Sequence, residues 1–196
     1  MTGQAEGLRR TIRLVAILNL AYFGIEFAVA RAIGSVSLFA DSVDFLEDAT
    51  INFLILIALQ WSATRRARVG MLLAGILLVP GLTALWTAWQ KFFMPVPPAP
   101  IPLSIAGAGA FVVNLSCAIL LTRYRKHAGS MAKAAFLSAR NDVFANIAIV
   151  GAGLVTVYTH SAWPDLIVGI GIALMNAGAA KEVYNAAQDE HRHSLP

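Results

Sequence analysis

Four carboxylates crowd one short stretch, Ser37-Leu38-Phe39-Ala40-Asp41-Ser42-Val43-Asp44-Phe45-Leu46-Glu47-Asp48, inside a run long and apolar enough to cross a bilayer. A charge at membrane depth costs at least about 3 kcal/mol unless it is paired or bound, so by default it marks a function. On an ideal helix Asp41, Asp44 and Asp48 fall within an arc of about 60°, and Asn52 continues the stripe. Asp44 and Asp48 are separated by about 6 Å of axial rise, close enough to serve one ion. Glu47 points away from that stripe. A later apolar run carries Ser138, Asn141, Asp142 and Asn146, of which Ser138, Asp142 and Asn146 recur every four residues along one face.

If these two helices touch, three carboxylates and several neutral oxygens converge near mid-membrane. Such a cluster repels itself, and it persists only around a cation or with some members protonated. A cation site is the favoured reading; the alternative is a protonated, internally hydrogen-bonded packing cluster. All the candidate donors are oxygens, with no His or Cys among them. Oxygen sites suit Mn²⁺ and Mg²⁺, and Zn²⁺ also accepts carboxylates.

The elements that must position these groups are membrane spans. The chain has 196 residues, is 58% hydrophobic and 13% charged, and has a mean hydropathy of +0.67. Soluble domains carry about 25% charged residues, so the composition is that of an integral membrane protein. Six apolar runs of spanning length are expected, at roughly 11–32, 36–60, 69–92, 101–123, 133–158 and 163–183. They make one all-α domain over 1–185, followed by a short polar tail, 186–196. The first run contains Asn19 and Glu26 and is too long for a signal-peptide core, and Arg9-Arg10 is only a weak twin-arginine match.

Orientation follows from the basic residues. Arg9, Arg10, Arg13, Arg65, Arg66, Arg68, Arg123, Arg125, Lys126, Lys133, Lys181 and Arg192 flank one set of span ends, against Arg31 and Lys91 on the other. Both termini are therefore expected in the cytoplasm. The net charge of +4 is a topology signal and argues against nucleic acid as a partner. Lipid is the expected surrounding. The single cysteine, Cys117, lies in an apolar run and reads as a small buried residue. The proline-rich stretch 94–102 reads as a stiff extended connector. Gly107, Gly109, Gly151, Gly153, Gly169 and Gly171 read as close-packing positions between helices.

Several stretches together resemble the cation diffusion facilitators. They are Asn19 to Glu26, Gly34-Ser35-Val36-Ser37-Leu38-Phe39-Ala40-Asp41, the Asp44 and Asp48 pair, Lys91-Phe92-Phe93-Met94-Pro95, Asp142-Val143-Phe144-Ala145-Asn146 and Trp163-Pro164-Asp165-Leu166-Ile167-Val168-Gly169. The resemblance covers nearly the whole chain. It implies a six-helix, usually dimeric exporter of divalent metal, zinc or manganese first among them, in exchange for protons, here in a bacterial plasma membrane. It also implies a site with two ligands from each of the second and fifth spans. Asp44, Asp48 and Asp142 match three of those positions.

The chain departs from the family pattern in two places. The fourth ligand position falls on Ser138, where His or Asp is usual; Ser138 is a poor ligand. Asn141, Asn146, a backbone carbonyl or water is expected to complete the sphere, and the depth of the residues favours Asn146. No cytoplasmic C-terminal domain is expected, so a homodimer would form through the spans. Without a site His, proton coupling rests on the carboxylates.

The remaining polar groups have simpler expectations. Arg140 points away from Asp142 and is expected to pair with Glu47 or Glu26, or to snorkel. Asp41 reads as an outer relay or a helix-start group. Asp165, after Trp163-Pro164, reads as a cap on its own helix. Asn19, Asn114 and Asn176 read as interhelical hydrogen-bonding groups. His160 is expected at the outer surface, and Trp61, Trp86, Trp89 and Trp163 at the membrane interfaces. The rival functions are a non-transporting accessory or sensor protein on the same helices, and a transporter of another cation. No nucleophile elbow, His/Glu metalloprotease pattern or phosphate loop points to an enzyme.

Overall fold

The structure is a computed structural model describing the backbone of residues 2–58, 82, 85–122, 129–175 and 181, and the side chains of residues 6–56, 82, 85–122, 139–175 and 181. Every regular element among the described residues is an α-helix. These are α1 (Thr2–Ile33), α2 (Val36–Ala58), α3 (85–93), α4 (Pro100–Thr122), α5 (Gly129–Thr159) and α6 (Trp163–Met175). The third expected span, 69–92, lies mostly outside the described residues. α1 starts well before the apolar run, because Leu8 to Arg13 carries good helix formers that need no apolar stripe to continue the helix. Pro100 opens α4, so 100–102 belong to a helix rather than to the extended connector; a first-turn proline loses no hydrogen bond.

α1 and α2 form a tight hairpin. Gly34 takes φ +64°, a left-handed conformation that L side chains adopt at a cost, and Ser35 N–H donates back to Ala30 C=O at 3.0 Å. α4 and α5 form the second broad pairing, α1 lies against α4, and α2 lies against α5. The core joins five helices: Ala30, Leu38, Phe39, Ala40, Leu103, Ala106, Ala145, Ile149 and Ile172 form one cluster. α6 reaches α2 at Gly169, where an added Cβ would stand 2.7 Å from Ser37 N and Val36 C. Gly151 and Gly171 face open space instead, so they are not close-packing positions.

The bundle is inverted relative to a soluble protein. Asn19, Glu26, Asp41, Asn52, Asn114 and Asn146 are buried, while Ile101, Ile105, Val112 and Ile119 form a stripe on α4 that is 60–68% exposed. Such an apolar exterior suits hydrocarbon as the surroundings. Three described helices are long and apolar enough to span: Glu6–Ile33, Pro100–Thr122 and Ala139–Thr159. α2 matches them in length and differs in its four carboxylates.

Candidate metal centre

α2 carries the acids, so its placement comes first. Its first turn exposes N–H groups that need acceptors. Ser35 is the N-cap: its Oγ accepts from Leu38 N–H at 3.1 Å. Asp165, from the first turn of α6, accepts from Val36 N–H at 2.9 Å and Ser37 N–H at 3.2 Å. It also takes the hydroxyls of Ser35 and Ser37, each at 2.6 Å, and Lys91 Nζ at 3.4 Å. Asp165 therefore caps α2 and not its own helix, which corrects the sequence-based expectation. The reason is spatial: Gly169 lets α6 close against the start of α2, and the carboxylate meets two free N–H groups and two hydroxyls there.

Beyond that end, the stripe turns inward as the helical period requires. Asp41 is fully buried, Asp48 is buried and Asp44 is partly buried; Asn52, also buried, donates to Asp48 C=O at 2.7 Å. Glu47 is buried as well. From α5, Asp142 faces this stripe. Its strongest charged neighbour is Asp48, and Asp142 is in turn the strongest charged neighbour of Asp44. The two helices thus bring Asp44, Asp48 and Asp142 into one electrostatic neighbourhood. No three His, Cys, Asp or Glu side chains among the described residues close around a single point in the manner of a bound ion.

Asn146 sits elsewhere in the network. Its Nδ2 donates to Asp41 Oδ2 at 2.6 Å, and its Oδ1 accepts from Asn114 Nδ2 at 3.1 Å. Its amide serves α2 and α4 at once, so it holds Asp41 rather than facing Asp44 and Asp48. Asn141 is exposed and accepts from Arg140 at 3.3 Å. Arg140 is exposed too and, among the described residues, reaches no carboxylate; both Glu26 oxygens lack a donor. The expected pairing with Glu47 or Glu26 is thus not made, because two helical steps from an inward Asp142 point Arg140 outward. The Ser138 side chain, Trp61 and Asn176 lie outside the described residues.

The sequence reading missed the link from Asn114 through Asn146 to Asp41, and the approach of Glu26 to Asp41 from α1. The signal for the second was present: Glu26 is the one carboxylate in the first expected span, 11–32.

A family model described as the cation efflux transmembrane domain matches residues 12–184. The chain belongs to the cation efflux family. This agrees with the resemblance seen in the motifs, and it makes the cation efflux chain a multi-pass integral membrane protein. Members of the family are transporters, not enzymes. The zinc transporter ZitB of Pectobacterium atrosepticum is 26% identical to it over 166 residues, covering 76% of this chain and 52% of that protein. The cation efflux chain thus spans about half the length of that curated relative.

Proposed function

We propose that this chain carries a divalent metal ion across a bilayer, with Asp44, Asp48 and Asp142 as its ligands and protons moving the other way. The observation that supports it is the gathering of α2 and α5 acids in one buried electrostatic neighbourhood. Like charges hold together there only when a cation or protons compensate them. Zinc is the metal that the relative's name suggests, and a carboxylate-only donor set equally suits manganese. The Ser138 position, a backbone carbonyl or water completes the sphere; Asn146 is left out because its amide is committed to Asp41 and Asn114. The Lys/Arg distribution supports cytoplasmic termini, and export of metal against entering protons is the direction that the family resemblance implies.

The test is metal-driven proton flux in liposomes containing this chain alone, with Zn²⁺ and Mn²⁺ in separate arms. Flux in the wild type that vanishes in Asp48→Ala supports the reading. No flux and no metal uptake by the wild type would favour an accessory protein on the same helices.

A further inference from the structure

One hydrogen-bonded chain crosses three helices beside the proposed ligands without using any of them. Asn114 Nδ2, on α4, donates to Asn146 Oδ1 at 3.1 Å, and Asn146 Nδ2, on α5, donates to Asp41 Oδ2, on α2, at 2.6 Å. All three residues are buried. Asn114 donates to the amide oxygen of Asn146, so the amide nitrogen is the end that turns to α2. Behind this bond α4 is seated closely on α5: a Cβ added at Gly107 would stand 2.8 Å from Ile149 Cγ2. The bond to α2 therefore starts from a firm backing.

The same bond fixes the level at which α2 and α5 meet. Leu38, before Asp41 in the chain, shares a core cluster with Ile149, after Asn146. The two helices therefore run antiparallel past the bond. In the other direction, Asp44 and Asp48 lie about 4.5 Å and about 10.5 Å from Asp41 along α2, and Asp142 lies about 6 Å from Asn146 along α5. Asp142 thus stands at a level between the two α2 acids. The Asn146–Asp41 bond is about one helical turn from this gap, nearer to it than the Asp165 tether on Val36 and Ser37.

Donor type alone would leave the gap unselective. Carboxylates suit calcium as well as manganese, so a site of carboxylates excludes calcium only through its size and rigidity. Calcium asks for about six to eight oxygens at about 2.3–2.6 Å, and zinc for about four at about 2.0–2.2 Å. We infer that Asn146, backed by Asn114 and bonded to Asp41, is a positioning residue that holds Asp142 at a fixed separation from Asp44 and Asp48 and so bars calcium from the gap. Its role rests on the reading of those three acids as ligands. Asn146 itself touches no ion; it acts through the spacing of the two helices.

The experiment is calorimetric titration of the full chain in lipid nanodiscs, with Zn²⁺, Mn²⁺ and Ca²⁺ in separate arms. The wild type is expected to bind Zn²⁺ or Mn²⁺ at least about a hundredfold more tightly than Ca²⁺. Asn146→Ala is expected to narrow that ratio at least about tenfold, with Ca²⁺ binding gained. Asn114→Ala keeps the bond to Asp41 and loses its backing; it is expected to narrow the ratio less, and it carries the test should Asn146→Ala not fold. Asp41→Asn combined with Asn146→Asp again sets a donor against an acceptor across the two helices and is expected to restore the ratio. Affinities for all three ions that fall in parallel in the alanine variants would mark a merely structural contact and overturn the inference, as would a wild type that binds Ca²⁺ as tightly as Zn²⁺. A wild type that binds none of the three ions would sink the ligand reading and the positioning role together.

Discussion

Replacing Asp165 with alanine should cost the fold about 3 kcal/mol, and the structure says where that comes from. The carboxylate is fully buried and accepts from Ser35 Oγ, Ser37 Oγ, Val36 N–H, Ser37 N–H and Lys91 Nζ. Side-chain hydrogen bonds inside membrane proteins average about 0.6 kcal/mol each, which gives about 3 kcal/mol for five. Lys91 contributes the longest contact, at 3.4 Å, and its side chain is 12% exposed. Lys91→Met should therefore cost only about 1 kcal/mol, because four donors still hold the carboxylate. The assay is reversible unfolding in mixed micelles followed by helical circular dichroism, with both variants beside the wild type. A cost for Asp165→Ala below about 1 kcal/mol would refute the capping argument. Equal costs for the two variants would show that the ion pair, not the start of α2, is what Asp165 serves.

Asp142→Asn should weaken divalent-metal binding at least about tenfold, roughly 1.4 kcal/mol, by calorimetry in nanodiscs; unchanged affinity would remove α5 from the ligand set. Asn146→Ala strips Asp41 Oδ2 and Asn114 Nδ2 of their partner and should destabilise by about 1–3 kcal/mol in the same unfolding assay. Gly169→Val drives side-chain atoms into the backbone at Val36 and Ser37 and should cost about 1–3 kcal/mol. Gly151→Ala meets nothing within 4 Å and should be neutral or stabilising by up to about 1 kcal/mol.

Periodicity made much of this legible. The stripe of Asp41, Asp44, Asp48 and Asn52 turns inward as a 3.6-residue repeat requires, and the expected runs 101–123 and 133–158 are helices close to those bounds. What periodicity cannot show is which helix a polar group will meet. Asp165 sits at a helix start, and so does every group it serves on α2, but those lie about 130 residues earlier in the chain. A local cap was the only reading a linear sequence could offer. Asn146 shares the face of Asp142, yet its partners come from α2 and α4, and crossing geometry rather than spacing chose them. From the sequence, Arg140 is expected to pair with a buried acid or to snorkel. The opposite face of the same helix resolves it more simply, with the guanidinium turned outward to Asn141.

The five-donor tether on Asp165 also bears on how the acids could ever be uncovered. A rod clamped at one end cannot translate freely; it swings, and points far from the clamp sweep the widest arcs. With the beginning of α2 pinned to α6, Asp48 lies farther from the pivot than Asp44, by about 6 Å of axial rise. Any tilt of α2 against α5 would therefore part Asp48 from Asp142 before it disturbs the neighbours of Asp41.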